Sequence, residues 1–180
     1  VDRMRIIVLL VITILLSCAG GGDESIVYYP NGQQKEKGLL THGKKDGEWT
    51  WWFSSGAVRG RASYSRGRKD GATVWFYEKG GKEREGEFSN DKLHGHWTFW
   101  YNNGDRKSEA SYQRGVLNGQ YTKWYPNGVK QQQGNYNNGK RSGEWVFWNE
   151  DGKMLRKDIY RGGYPQKSIL MDDVSDSLYH

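Results

Sequence analysis

The sequence predicts an all-β fold: an elongated single-layer antiparallel meander of stacked β-hairpins with a 24-residue repeat. Three observations lead there. Glycine recurs at Gly32, Gly56, Gly80, Gly104, Gly128 and Gly152, every 24 residues without a slip. Two further columns keep that step, Tyr28, Trp52, Phe76, Trp100, Trp124 and Trp148 in one, and Leu40, Tyr64, Phe88, Tyr112, Tyr136 and Tyr160 in the other. Within each unit apolar residues alternate in twos, as at Trp49, Trp51 and Phe53, or Trp97, Phe99 and Tyr101. Alternation in twos is strand periodicity. A fixed period without insertions marks units that bury their apolar faces on one another.

The first segment is of another kind. Arg3 and Arg5 flank Met4, which reads as the initiator, and Ile6 to Leu16 is apolar apart from Thr13. Such a run is shorter than the roughly 20 residues a bilayer span needs, but it suits a signal-peptide core. It ends in Leu15-Leu16-Ser17-Cys18, which resembles the lipobox of bacterial lipoproteins, and Cys18 is the chain's only cysteine. An exported chain with one cysteine forms no internal disulfide, so lipidation accounts for the thiol, the alternative being a cleaved secretory signal with an incidental cysteine. The reading is a signal peptide over residues 1–17, a Gly-rich tether over 18–25, the repeat domain over 26–163 and a C-terminal cap or tail over 164–180. The expected location is the bacterial cell envelope, with Cys18 anchored in the lipid bilayer.

Each repeat then needs two turns. Asn31-Gly32, Ser55-Gly56, Asn103-Gly104, Asn127-Gly128 and Asp151-Gly152 suggest two-residue type I′ hairpins, because Asn-Gly and Asp-Gly tolerate positive φ. That turn sets Trp49 opposite Ala62, Thr73 opposite Gly86, Trp97 opposite Ala110 and Tyr121 opposite Gly134, mostly a large side chain across from a small one. Asp158 opposite Trp145 is the exception, in the last unit. The same register sets Trp52 against Arg59 and Trp100 against Lys107, two expected cation–π pairs. The second turn, near Arg66-Gly67, Arg114-Gly115 and Asn138-Gly139, is left open between a two-residue and a longer loop. Strands of about nine and eleven residues, eleven or twelve in all, follow from the short loop. Trp49, Trp51, Phe53, Val58 and Tyr64 share the bulkier face, which is the expected core.

The pattern G-x-W-x-x-W/F-Y-x-x-N-G followed by Y-x-x-G-x-x-x-G resembles the MORN-repeat-variant family, including its YwqK-type antitoxin-like members, over about residues 26–163. The resemblance implies stacked β-hairpins without catalysis, and it implies an antitoxin or immunity role with a toxin as partner.

For function the residues point to binding. The chain is basic, +6 at neutral pH, and Lys44, Lys45, Arg66, Arg68, Lys69, Lys140 and Arg141 fall beside the second turn. In a meander these turns share one long edge, so that edge is expected to be positive. It suits an acidic protein or anionic lipid, and an exported chain argues against nucleic acid. Trp52, Trp100, Trp124 and Trp148 form a candidate aromatic surface on the other face, which suits a glycan. His94 and His96 fill columns held elsewhere by Asp46 and Glu48, so they read as repeat positions and not as metal ligands. No nucleophile triad or phosphate loop stands out, and no cofactor is expected.

Overall fold

The structure, a computed structural model, describes residues 14–17 and 22–171. Cys18 and the tail beyond residue 171 lie outside these residues, as does most of the predicted signal peptide. One open sheet of fourteen antiparallel strands follows chain order without a crossover. The strands are β1 (Ile14–Ser17), β2 (Asp23–Tyr28), β3 (Gln34–Thr41), β4 (Lys44–Trp52), β5 (Val58–Ser65), β6 (Arg68–Phe76), β7 (Lys82–Ser89), β8 (Lys92–Trp100), β9 (Arg106–Gln113), β10 (Val116–Trp124), β11 (Lys130–Asn137), β12 (Lys140–Trp148), β13 (Met154–Arg161) and β14 (Tyr164–Leu170). Repeating strands are therefore eight and nine residues long, not nine and eleven. The rest of each repeat goes into bulges and turns. Tyr164–Leu170 extends the sheet as β14, paired with β13 through a Gly162-Gly163 turn. The total exceeds eleven or twelve because β14 and β1, the latter inside the predicted signal peptide, both join.

The type I′ geometry belongs to the second turn. His42-Gly43, Arg66-Gly67, Asn90-Asp91, Arg114-Gly115, Asn138-Gly139 and Gly162-Gly163 all have positive φ at both residues. Their flanks pair directly, as Ser65 does with Arg68. The first turn is different. Gly56 N–H donates to the Phe53 carbonyl at 3.0 Å and Phe53 N–H to the Ala57 carbonyl at 2.8 Å, with only Gly56 at positive φ. This is a three-residue connection, a type I turn closed by a left-handed glycine.

The expected register nevertheless holds through most of each hairpin. Trp49 faces Ala62, Thr73 faces Gly86, Trp97 faces Ala110, Tyr121 faces Gly134 and Trp145 faces Asp158. A bulge one step inside the first turn makes up for the longer connection. It leaves Arg59 unpaired between Trp51↔Gly60 and Trp52↔Val58. Next to the turn the expectation fails. Val58 shares a face with Trp52 and so leaves the bulky face, and Trp100 lies opposite Arg106, not Lys107. The bulged cations cover the turn rings instead, Arg59 over Phe53 at 5.7 Å and Lys107 over Tyr101 at 5.6 Å.

The core is one face of the sheet. Trp49, Trp97 and Trp145, 48 residues apart, are at most 1% exposed. Each donates its indole N–H to a carbonyl on the preceding strand at 3.0 Å, to Leu39, Glu87 and Asn135 in turn. Beneath the three rings lie Gly38, Gly86 and Gly134, where a Cβ would collide with the indole. Phe88 and Phe99 flank Trp97, with ring centroids 5.1 and 5.9 Å away. Thr73 takes the equivalent place in one unit, where Trp75 moves over Gly60. Asp158 in the last unit is buried but bonded, with Ser168 donating to it at 2.6 Å and Arg156 3.3 Å away.

Truncation of Trp97 removes a fully buried ring and its hydrogen bond, so Trp97→Ala is expected to cost about 3–5 kcal/mol in urea unfolding. Trp100→Ala, which removes a half-buried ring, is expected to cost clearly less. Equal losses would mean that the ring face is not the core.

Candidate functional site

The predicted site residues divide between two faces and an edge. Lys44, Arg66, Arg68 and Lys140 are exposed on the long edge formed by the type I′ turns. Successive turns are stitched there: the second turn residues Gly67, Asp91, Gly115 and Gly139 donate their N–H groups to carbonyls of Lys45, Lys69, Leu93 and Leu117 at 2.8–2.9 Å. The stems of Lys44 and Lys140 lie against Gly67 and Gly163 of the next turn, where any side chain on the glycine would crowd them. These lysines thus cover backbone with their methylenes while the charge stays in water.

Lys45, Lys69 and Arg141 leave the edge. They turn inward over the ring face because the strand alternation that exposes residue 44 sends residue 45 to the core side. Lys45 Nζ sits 3.9 Å from the Trp49 ring centroid and 4.9 Å from that of Trp51. Glu36 holds it at 2.9 Å and also accepts the Trp51 indole N–H at 2.9 Å. Lys69 lies over Phe88 and Trp75 at 5.0 and 5.8 Å. Arg141 caps Trp145 at 4.3 Å and donates to Tyr160 Oη and Gln132 Oε1. Two further cations, Arg84 over Trp75 at 5.4 Å and Arg156 over Phe147 at 4.4 Å, complete the layer. The sequence reading missed both because their columns hold Glu36, Gly60, Ser108 and Gln132 in other repeats.

The layer's electrostatics are uneven. Burial, then the positive charge of Arg84, pushes the Lys69 ammonium below the ordinary lysine range, while Asp91 acts in the opposite direction and Lys45 adds to the lowering. Burial raises the Tyr64 hydroxyl, helped by the charges of Asp91 and Glu36. In mid-sheet, Leu93 and Leu117 occupy the column of Lys45 and Lys69, so the face is cationic toward both ends and apolar between.

On the opposite face Trp52, Trp100, Trp124 and Trp148 are half-buried. Their carbonyls form one side of a hydroxyl ladder. Tyr29, Tyr77, Tyr101 and Tyr125 donate to the carbonyls of Trp52, Trp100, Trp124 and Trp148 at 2.8–3.0 Å, each reaching 23 residues on. Asn31, Asn103 and Asn127 span the same gap through Nδ2, to Ser54, Pro126 and Glu150 carbonyls. Lys82 and Lys130 lie over Trp100 and Trp148 at 5.4 and 6.0 Å. A groove of about 490 Å³ on this face includes Glu48, Arg61, Glu85, Glu87 and His96 in its lining. His96 Nε2 is 3.4 Å from Thr98 Oγ1. Among the described residues no three His, Cys, Asp or Glu side chains gather closely enough to hold a metal ion.

Fold and site together define a class, the one-layer β-hairpin repeat protein. Residues 45–65, 93–114 and 117–138 match the family model of the MORN repeat variant. No curated protein matches the chain. The matched segments are the hairpins β4–β5, β8–β9 and β10–β11, each joined by the three-residue turn. The hairpins β6–β7 and β12–β13 share that geometry outside the match, and they carry Thr73 and Asp158 at the ring-and-small-residue pair.

The hydroxyl ladder has a missing rung at Phe53, which stands where its neighbours are Tyr29 and Tyr77. Phe53→Tyr would place an oxygen within reach of the Phe76 carbonyl, 23 residues on. A net hydrogen bond contributes about 0.5–1.5 kcal/mol, so a stabilisation of that order is expected in thermal or urea unfolding. A loss of stability would show that the ladder geometry does not repeat at this unit.

Proposed function

We propose that the protein is a non-enzymatic, membrane-anchored repeat scaffold that binds an acidic partner along its cationic ring face and edge. The observation that carries this reading is the cation layer: the rings of Trp49, Trp75 and Trp145 are each covered by Lys45, by Lys69 and Arg84, or by Arg141. A sugar binds a tryptophan by lying on its open face. A covered ring cannot take one without displacing a cation, whereas an anion adds directly to the layer. On the opposite face Lys82 and Lys130 cover Trp100 and Trp148 in a similar way. These contacts disfavour glycan binding at the covered rings, Trp49, Trp75, Trp145, Trp100 and Trp148. The repeat supports a scaffold in place of an enzyme, since it spreads similar side chains over many equivalent positions and does not converge them on one reacting atom. An immunity role is the special case in which the acidic partner is a toxin, and it rests on the family resemblance alone.

Anchoring rests on the lipobox-like sequence before Cys18. Each buried CH₂ contributes about 0.8 kcal/mol, so an acylated cysteine with several chains holds a protein stably at a bilayer. Cys18→Ser is expected to accumulate as precursor or to leave the membrane fraction. Processed, membrane-bound Cys18→Ser protein would refute lipid anchoring.

For the acidic partner, the purified protein is expected to be retained on immobilised poly-glutamate and not on neutral oligosaccharides. Retention should weaken as salt rises, because a Debye length of about 8 Å at physiological ionic strength screens exposed charge. Retention on the neutral sugar that is indifferent to salt would favour glycan recognition.

A further inference from the structure

Each cation of the ring face can be compared with its counterparts in other repeats. Lys45 takes its acceptor from Glu36, nine residues earlier, at 2.9 Å. Arg141 takes one from Gln132, again nine residues earlier, at 3.2 Å. For Lys69 the corresponding residue is Gly60. No side chain fits there, since a Cβ on Gly60 would collide with the Trp75 ring. One strand pair further on, the position equivalent to Glu36 and Gln132 is Arg84, so a guanidinium stands where other repeats place an acceptor.

Lys69 and Arg84 therefore share one aromatic floor, with Lys69 Nζ 5.8 Å and Arg84 Cζ 5.4 Å from the Trp75 centroid. Among the described residues neither forms a salt bridge. The Asp91 carboxylate is engaged with the Lys69 backbone N–H at 2.8 Å. Two like charges held together in a half-buried site repel unless an anion joins them; the lowered proton affinity of Lys69 reflects burial and the repulsion of Arg84, which the attraction of nearby Asp91 offsets only in part.

We propose that Lys69 and Arg84 together receive a carboxylate of an acidic polypeptide crossing the ring face. This deepens the scaffold reading and rests on it. Glu36 supplies the precedent within the molecule, because its carboxylate holds Lys45 over Trp49 and Trp51 in the equivalent place. A polypeptide fits better than a bilayer. The exposed Arg66 and Arg68 stand at the turn, where a flat surface meets them first, while Lys69 and Arg84 lie half-buried among rings that a narrow chain can reach. Beyond them Leu93, Tyr112 and Leu117 continue the same face, so a partner with apolar residues beside its acidic ones fits the whole track.

The test uses the purified protein, a fluorescent peptide alternating Glu with Val, and phosphatidylglycerol vesicles. Lys69→Gln and Arg84→Gln are each expected to weaken peptide binding by about tenfold, as loss of a charge-assisted pair does. Arg66→Gln and Arg68→Gln, which remove the same charge at the edge, are expected to change it by less than about threefold, as a screened rim charge does. Lys69→Arg is expected to retain binding. Leu93→Glu keeps both cations but sets a carboxylate nine residues from Arg84, and it is expected to weaken the peptide as a competitor within the chain. In wild-type protein the peptide should shift the NMR signal of the isotopically dimethylated Lys69 ammonium. Equal losses from the edge and face variants would overturn the site and leave a diffuse charge effect. Salt-sensitive peptide binding indifferent to Lys69 and Arg84 would overturn the site while leaving the scaffold reading intact. Vesicle binding that needs Lys69 and Arg84, with no peptide binding, would replace the polypeptide by a lipid surface. Failure of wild-type protein to bind either probe would overturn both readings.

Discussion

A sheet one layer thick has no second layer to bury its side chains against, and the rest of this structure follows from that constraint. A tryptophan on such a sheet can be covered only by lying flat on its own backbone and by being flanked from adjacent strands. Trp97 meets both conditions. Gly86 lets the indole lie on the strand beneath it, and Phe88 and Phe99 close its sides. The indole N–H finds the Glu87 carbonyl, so burial leaves no orphan donor. Glycine is needed under the ring for space, and its cost in strand propensity is offset by the area a tryptophan buries. Over Trp49 and Trp145 cations finish the arrangement, since methylene stems add cover and the charged heads keep the outer surface wet.

The same constraint explains the fixed 24-residue step. A ring is covered partly by side chains from the neighbouring unit, so an insertion in one unit would uncover rings in two. Both edges hold the spacing. The Tyr and Asn side chains reach 23 residues along one edge, and the type I′ turns bond back 22 residues along the other. Contacts therefore run mainly between adjacent units, as in other solenoid-like arrays, where stability is close to a sum of unit and interface terms. The 48-residue alternation of buried tryptophans adds a second rhythm. Trp49, Trp97 and Trp145 are the largest buried side chains and Thr73 and Tyr121 stand at the equivalent positions between them, while Trp51 stacks on Trp75 and Tyr136 meets Trp145 edge-on.

Much of this was legible in the sequence because period and parity survive local irregularity. The cross-strand pair of Trp97 and Ala110 follows from glycine spacing although the first turn has three residues and not two. A connection one residue longer and a bulge of one residue offset each other, and only residues between the two, such as Arg59 and Lys107, were misplaced. Asn-Gly at the first turn misled because asparagine serves there through its side chain: Asn127 accepts from Val129 N–H and donates to the Glu150 carbonyl, with no positive φ of its own. The second turn stayed open between two lengths because arginine, at Arg66 and Arg114, rarely takes the positive φ that a type I′ turn needs. The inward turn of Lys45, Lys69 and Arg141 was harder to see. Sequence proximity to the turn groups them with Lys44 and Lys140, and only strand parity past the bulge separates the two sets.

That separation changes what the charge implies. A row of lysines on an edge resists edge-to-edge pairing and keeps the molecule soluble, whatever it binds. Cations laid on buried rings are a different matter, because each gives up part of its hydration to sit there. Lys45 is compensated by Glu36, and Arg141 by Tyr160 and Gln132. Among the described residues Lys69 and Arg84 have no salt-bridge partner, only the longer-range attraction of Asp91 on Lys69, and the ring over Gly60 prevents the strand from supplying an acceptor there. A repeat that places Glu36 or Gln132 at this column in some units and Arg84 here gathers cations without a salt-bridge partner at one place on the ring face. Recognition in an otherwise uniform array depends on such breaks in symmetry, since identical units would bind a partner equally well in every register.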